Sequence, residues 1–159
     1  MEIKVGMADL NVCESPDSIT TLGLGSCVGV VLYDPTTRKC GMVHVMLPDS
    51  KAITNNHNIA KFADTGIDEC LRRLLAMGAR RERLVAKIAG GAQMFSINTN
   101  NAMLRVGDRN VEAVRNKLGD LKIPILAADT GNSYGRTVIF YPETGDYLIK
   151  AIGKEPRTI

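Results

Sequence analysis

The spacing of apolar residues changes along this chain from a two-residue to a three- and four-residue period and back, and that change sorts it into elements. Short runs at residues 3–5, 10–13, 19–22, 28–33 and 40–47 are rich in β-branched and aliphatic side chains and predict strands. The last two flank Asp34-Pro35-Thr36-Thr37-Arg38-Lys39, a turn-forming stretch, so they should pair as an antiparallel hairpin. A loop from Pro48 leads to residues 59–77, where Phe62, Ala63, Ile67, Cys70, Leu71, Leu74 and Leu75 form one helical stripe suited to lie on a sheet. Asn58 is placed to cap that helix. Residues 84–88 then read as a buried strand ending in Gly90-Gly91, where the chain must turn or admit a close backbone approach. Residues 102–106 give a further strand. Residues 110–118, with Val111, Val114 and Leu118 on one face, give a second helix closed by Gly119. Residues 123–128, 136–141 and 147–152 complete the strands. Many strands and two main helices predict an α+β fold, an α/β sandwich of mostly antiparallel strands with a helix covering a sheet face.

At 159 residues the chain fits one domain spanning 1–159, large enough to bury a core without staples. The start Met1-Glu2-Ile3-Lys4 lacks a signal-peptide hydrophobic region and no apolar run is long enough to span a bilayer, so a cytoplasmic protein without membrane insertion is expected. A net charge of +3 and 4% aromatic residues argue against nucleic-acid binding. Arg80, Arg81 and Arg83 follow the expected helix end at Gly78, where positive charge complements the helix dipole, so a solvated structural role is expected for them. Asp68 with Arg72 and Glu69 with Arg73 are spaced for ion pairs on the solvent face of the first helix. Four cysteines without CxxC spacing and two histidines indicate neither a metal site nor a disulfide framework, and the chain is expected to need no cofactor.

One arrangement changes the picture. Cys27 ends the run Thr21-Leu22-Gly23-Leu24-Gly25-Ser26-Cys27, and His44 lies one hairpin downstream. A free thiol with a pKa of about 8.5 is little ionised at neutral pH, so a nucleophilic cysteine needs a base within reach. If Tyr33 pairs with Cys40, Cys27 falls opposite Met46. His44 then lies diagonally across on the same face, at roughly 7 Å between α-carbons. A slip of one residue would send the two side chains to opposite faces. Gly23 and Gly25 permit a tight turn and bring amides of the Gly25-Ser26-Cys27 region to where an oxyanion could form. Taken singly, Cys27 and His44 would suit a core equally well; together they suggest chemistry. Alternation makes Thr20 and Thr21 face opposite ways, and either could orient an imidazole. His57, among asparagines in a polar loop, is expected to be solvated.

The runs TLGLGSCV at 21–28, HVMLPDS at 44–50 and GGAQMF at 90–95 resemble the CheD family of bacterial chemotaxis proteins, as do Val106-Gly107-Asp108-Arg109-Asn110 and Asp129-Thr130-Gly131. The resemblance implies a glutamine deamidase acting on methyl-accepting chemotaxis receptors, with a methylesterase side activity. It implies Cys27 and His44 as the catalytic pair, Thr21 as the third member, and a sandwich fold similar to the deamidase domain of cytotoxic necrotizing factor toxins. It also implies binding of a CheC-type phosphatase, with the protein a monomer or a heterodimer with CheC, and makes Phe95 a candidate for the partner surface. A noncatalytic adaptor for that phosphatase is the competing reading.

Overall fold

The computed structural model describes residues 1–94 and 105–159. Ten strands run in chain order as β1 (Glu2–Val5), β2 (Leu10–Glu14), β3 (Ser18–Leu24), β4 (Val28–Asp34), β5 (Lys39–Val45), β6 (Val85–Gly90), β7 (Ile125–Thr130), β8 (Arg136–Tyr141), β9 (Asp146–Lys150) and β10 (Arg157–Thr158). They form two five-stranded sheets of order β1-β3-β8-β9-β10 and β2-β5-β4-β6-β7. The β1/β3 and β6/β7 pairs are parallel and the other neighbours antiparallel, so the sheets are mixed. Helices α1 (Ala63–Ala76) and α2 (Val106–Asp120) complete an α+β fold.

Strand alternation splits the second sheet between two cores. Val28, Val30 and Leu32 of β4, with Val43 and Val45 of β5, pack with Ile67, Cys70 and Leu74 of α1 and Val114 and Leu118 of α2. The intervening Val31, Tyr33, Cys40 and Met42 pack with Ile19, Val138, Phe140, Tyr147 and Ile149 of the first sheet. The central hairpin is thus apolar on both faces, which is why its strands read as nearly continuous hydrophobic runs. Among the described residues no helix is long and apolar enough to cross a membrane.

Several elements differ from the sequence expectation. The expected helix over 59–77 is two pieces: a 3-10 turn at Ile59–Lys61, then α1, separated by Phe62 in an extended conformation. Phe62 is fully buried and Leu47 bridges it in parallel, so a tertiary contact breaks the helix where the periodicity continued. Asn58 accordingly caps the 3-10 turn, accepting from the Ala60 N–H, and not α1. Helix α2 begins at Val106, where a strand was expected to end, and passes through Gly119 to Asp120. Residues 102–104 of that expected strand lie outside the described residues. Of the two expected ion pairs, Glu69 with Arg73 forms at 4.0 Å, whereas Asp68 turns to Lys117 of α2 at 2.9 Å and Arg72 pairs with Glu69 instead. The hairpin register is the expected one, with Tyr33 opposite Cys40 and Gly29 opposite His44.

Candidate active site

The ladder between β4 and β5 closes with Val28 opposite Val45, and Cys27 and Met46 lie just beyond that last rung. Because Gly29 faces His44, Cys27 and His44 share the face of the hairpin turned toward the first sheet. That sheet supplies Thr21. Its neighbour Thr20 points the other way and donates to the Val138 carbonyl at 2.7 Å, so the pleat that left two candidates open selects Thr21 as the one that meets the imidazole.

The Thr21 hydroxyl makes two bonds: it donates to the Val5 carbonyl at 2.8 Å and lies 2.7 Å from His44 Nδ1. A carbonyl can only accept, and a hydroxyl has one hydrogen, so Thr21 Oγ1 must accept from the ring. The neutral imidazole therefore carries its proton on Nδ1 and leaves a lone pair on Nε2. Nε2 is buried and has no hydrogen-bond partner among the described residues. Within the described residues its acceptor capacity is therefore unused.

Burial acts on both members of the pair. It pushes the Cys27 thiol up and the His44 imidazole down, so both are neutral at pH 7 in the resting structure. His44 is fully buried, whereas Cys27 keeps 8% of its surface and lines a cleft of about 350 Å³ with Gly23, Gly25, Ser26, Met94 and Val106. Cys27 thus reaches the cleft, whereas His44 is sealed within the fold. The other thiols are placed differently. Cys70 is buried on the inner face of α1 and burial pushes its thiol up to about 12, while Cys13 and Cys40 face one another across β2 and β5 at 3.5 Å between sulfurs.

The loop that carries Cys27 is held by backbone. Gly91 donates to the Cys27 carbonyl and Ala92 to the Gly25 carbonyl, each at 2.8 Å. Gly90 has φ +111°, and a Cβ there would collide with the Cys27 carbonyl oxygen, so the double glycine is the close approach the sequence suggested. Gly23, at φ +71°, lies where the β3/β8 register shifts between Thr21 and Leu24, an irregularity that bends the strand before its last pair, Leu24 with Arg136, and the loop that follows. Among the described residues neither the Ser26 nor the Cys27 N–H has a partner, so both amides of the expected oxyanion region are unengaged. Asn110, buried on α2, was not singled out from the sequence for any role at this site. It donates to the Ser26 carbonyl at 3.0 Å and the Met46 carbonyl at 2.9 Å. His57 is exposed and lines a different cleft, beside Asp9 and Glu69. Phe95 lies outside the described residues. Among the described residues no group of three or more His, Cys, Asp or Glu side chains gathers as a metal ion would require.

The family model described as CheD chemotactic sensory transduction matches residues 46–151, beginning just after His44. Full-length relatives extend the similarity across the cleft residues as well. The chain is 69% identical over 157 residues to the probable chemoreceptor glutamine deamidase CheD of Lachnoclostridium phytofermentans, covering 99% of this chain and 98% of that protein. It is 55% identical over 158 residues to the chemoreceptor glutamine deamidase CheD of Halalkalibacterium halodurans, covering 99% and 98%. It is 53% identical over 151 residues to the probable chemoreceptor glutamine deamidase CheD of Caldanaerobacter subterraneus, covering 95% and 93%. With two-thirds of its length matched by the family model and nearly all of it by these relatives, the chain belongs to the CheD family of chemotactic sensory transduction proteins.

Proposed function

We propose that this protein deamidates glutamine side chains of chemotaxis receptors through a thioester on Cys27. The observation that carries the reading is the doubly bonded Thr21 hydroxyl. It fixes the His44 tautomer and leaves Nε2 as an acceptor, on a residue that shares its face of the hairpin with Cys27. The names printed for the relatives supply the substrate class.

At rest the thiol is protonated, so the thiolate forms at the moment of attack, as Nε2 takes the Sγ proton. Sulfur adds to the carboxamide carbon, and the Ser26 and Cys27 amides stabilise the oxyanion. The imidazolium returns its proton to the leaving nitrogen; the C–N bond breaks, ammonia departs and a thioester remains. Water, deprotonated by Nε2, attacks the thioester, and Cys27 leaves and recovers its proton. The product is glutamate. Thr21 stabilises the transient imidazolium only as a dipole, an uncharged counterpart of the carboxylate in other nucleophile, base and orienter sets. A methyl ester would follow the same route with methanol as the leaving group, which accommodates a methylesterase side activity.

The test is incubation of the purified protein with receptor cytoplasmic domains, followed by peptide mass spectrometry. Particular glutamines are expected to become glutamate with wild-type protein and to stay unchanged with Cys27→Ala. Equal conversion by both proteins would reject the mechanism; no conversion by the wild type across several receptors would reject the substrate class.

A further inference from the structure

Cys27 and Met46 lie just beyond the last rung of the β4/β5 ladder, Val28 opposite Val45, so no ladder rung joins these two residues. The Asn110 side chain fills that gap. Its one amide nitrogen has two hydrogens, and it gives one to the Ser26 carbonyl and the other to the Met46 carbonyl. Those carbonyls belong to the residue before Cys27 and the residue two after His44. The two acceptors also settle which way the amide faces, since an oxygen turned toward them would meet two lone pairs.

We propose that Asn110 is a positioning residue for the cysteine and histidine pair, acting as a side-chain rung that sets the spacing of Cys27 and His44 at the open end of the hairpin. Three observations support it. Asn110 is fully buried, and its Oδ1 has no hydrogen-bond partner among the described residues, a cost that an apolar residue at this place on α2 would avoid. It shares the helix stripe of Val114 and Leu118, at four-residue steps, so the helix core fixes its Cα. Finally, the Ser26–Cys27 peptide is trans, so its carbonyl and the Cys27 N–H point opposite ways. Binding the carbonyl to α2 therefore turns the Cys27 N–H away from the helix and leaves it unengaged.

This inference rests on the deamidase reading, so its test has one arm that needs no receptor. Wild type, Asn110→Ala and Val114→Ala are compared at a temperature where circular dichroism shows all three folded. Val114→Ala truncates the same helix face without touching either carbonyl and controls for lost stability. Asn110→Ala is expected to lower kcat for receptor deamidation by roughly ten- to a hundredfold, with KM within about threefold, because misplacement on the scale of an ångström costs that much in rate. Its rate of Cys27 alkylation by iodoacetamide should also differ from wild type by more than about threefold, whereas Val114→Ala should stay within that range in both assays. Should Asn110→Ala not fold, Asn110→Ser takes its place under the same criteria. Asn110 and Val114 variants that behave alike in both assays would overturn the positioning role. Conversion that survives Cys27→Ala would instead overturn the deamidase mechanism itself, whatever Asn110 does.

Discussion

Strand β4 leads into a buried polar cluster at each end, and the central groups of the two, a carboxylate and an imidazole, are satisfied to opposite degrees. At its last residue Asp34 is fully buried. Its carboxylate accepts from the Arg83 guanidinium at 3.0–3.3 Å and from the backbone N–H groups of Arg80, Thr36 and Thr37. Burial alone would raise its pKa, but the guanidinium and those N–H groups outweigh it and hold the carboxyl well below the usual carboxylate range. At the other end, just before the first residue of β4, burial raises the Cys27 thiol and lowers the His44 imidazole, and Nε2 has no partner among the described residues. Both clusters sit in the same hairpin and are similarly enclosed. In the proposed mechanism, what separates the structural clasp from the reactive pair is whether the hydrogen-bonding capacity of the central group has been used up.

The sharpest way to break that contrast is to remove a reacting group from the unsatisfied end. Cys27→Ala or His44→Asn should each reduce receptor deamidation by more than about a thousandfold, because neither attack nor proton transfer has a substitute. Melting temperature by differential scanning fluorimetry should barely move for Cys27→Ala.

The satisfied end should respond in the opposite way. Asp34→Asn leaves Arg83 unpaired and weakens the turn; it is expected to cost roughly 3 kcal/mol in urea unfolding while turnover per folded molecule stays near wild type. The sign of the pH dependence follows from the depressed pKa. The carboxylate's contribution is fully present above the unfolded value of about 3.9 and is lost as pH falls from there through the folded value. Wild-type stability should therefore fall with acidification below about pH 4, and Asp34→Asn should lack that component. Lost activity at full stability, or an unchanged acid slope, would erase the distinction between the two ends.

Smaller changes sharpen the account of the unsatisfied end. Thr21→Val keeps the shape but leaves Nδ1–H without an acceptor, so turnover should fall by about ten- to a hundredfold, and Thr21→Ser should recover most of it. Steady-state kinetics of the two variants check this, and equal loss in both would point to packing and not to the hydroxyl. His57→Ala is expected to leave turnover within about twofold of wild type, since surface changes away from such features have small effects.

The hairpin was legible because its register follows from a two-residue period and a turn of fixed content. Placing Tyr33 against Cys40 was enough to put Cys27 and His44 on one face. The choice between Thr20 and Thr21 was not legible from alternation, which says that neighbours diverge without saying which faces the second sheet; the family resemblance alone favoured Thr21. The break at Phe62 escaped for a related reason: its contact with Leu47 is tertiary, and Phe62 fits the helical stripe as well as any other member. Asn110 left one usable signal. It precedes Val114 and Leu118 at four-residue steps, so it places an amide on a helix's apolar face, where a polar residue needs partners from elsewhere in the fold.

The central claim is that Cys27 sulfur forms a covalent bond to the substrate with His44 as its proton carrier, and rapid acid quenching during turnover tests it most directly. Intact mass spectrometry of the quenched protein should show an adduct equal to the receptor peptide less ammonia, mapping to Cys27 and absent when Cys27 is alanine. Steady conversion with no such adduct at any time point, or an adduct on another residue, would contradict the account.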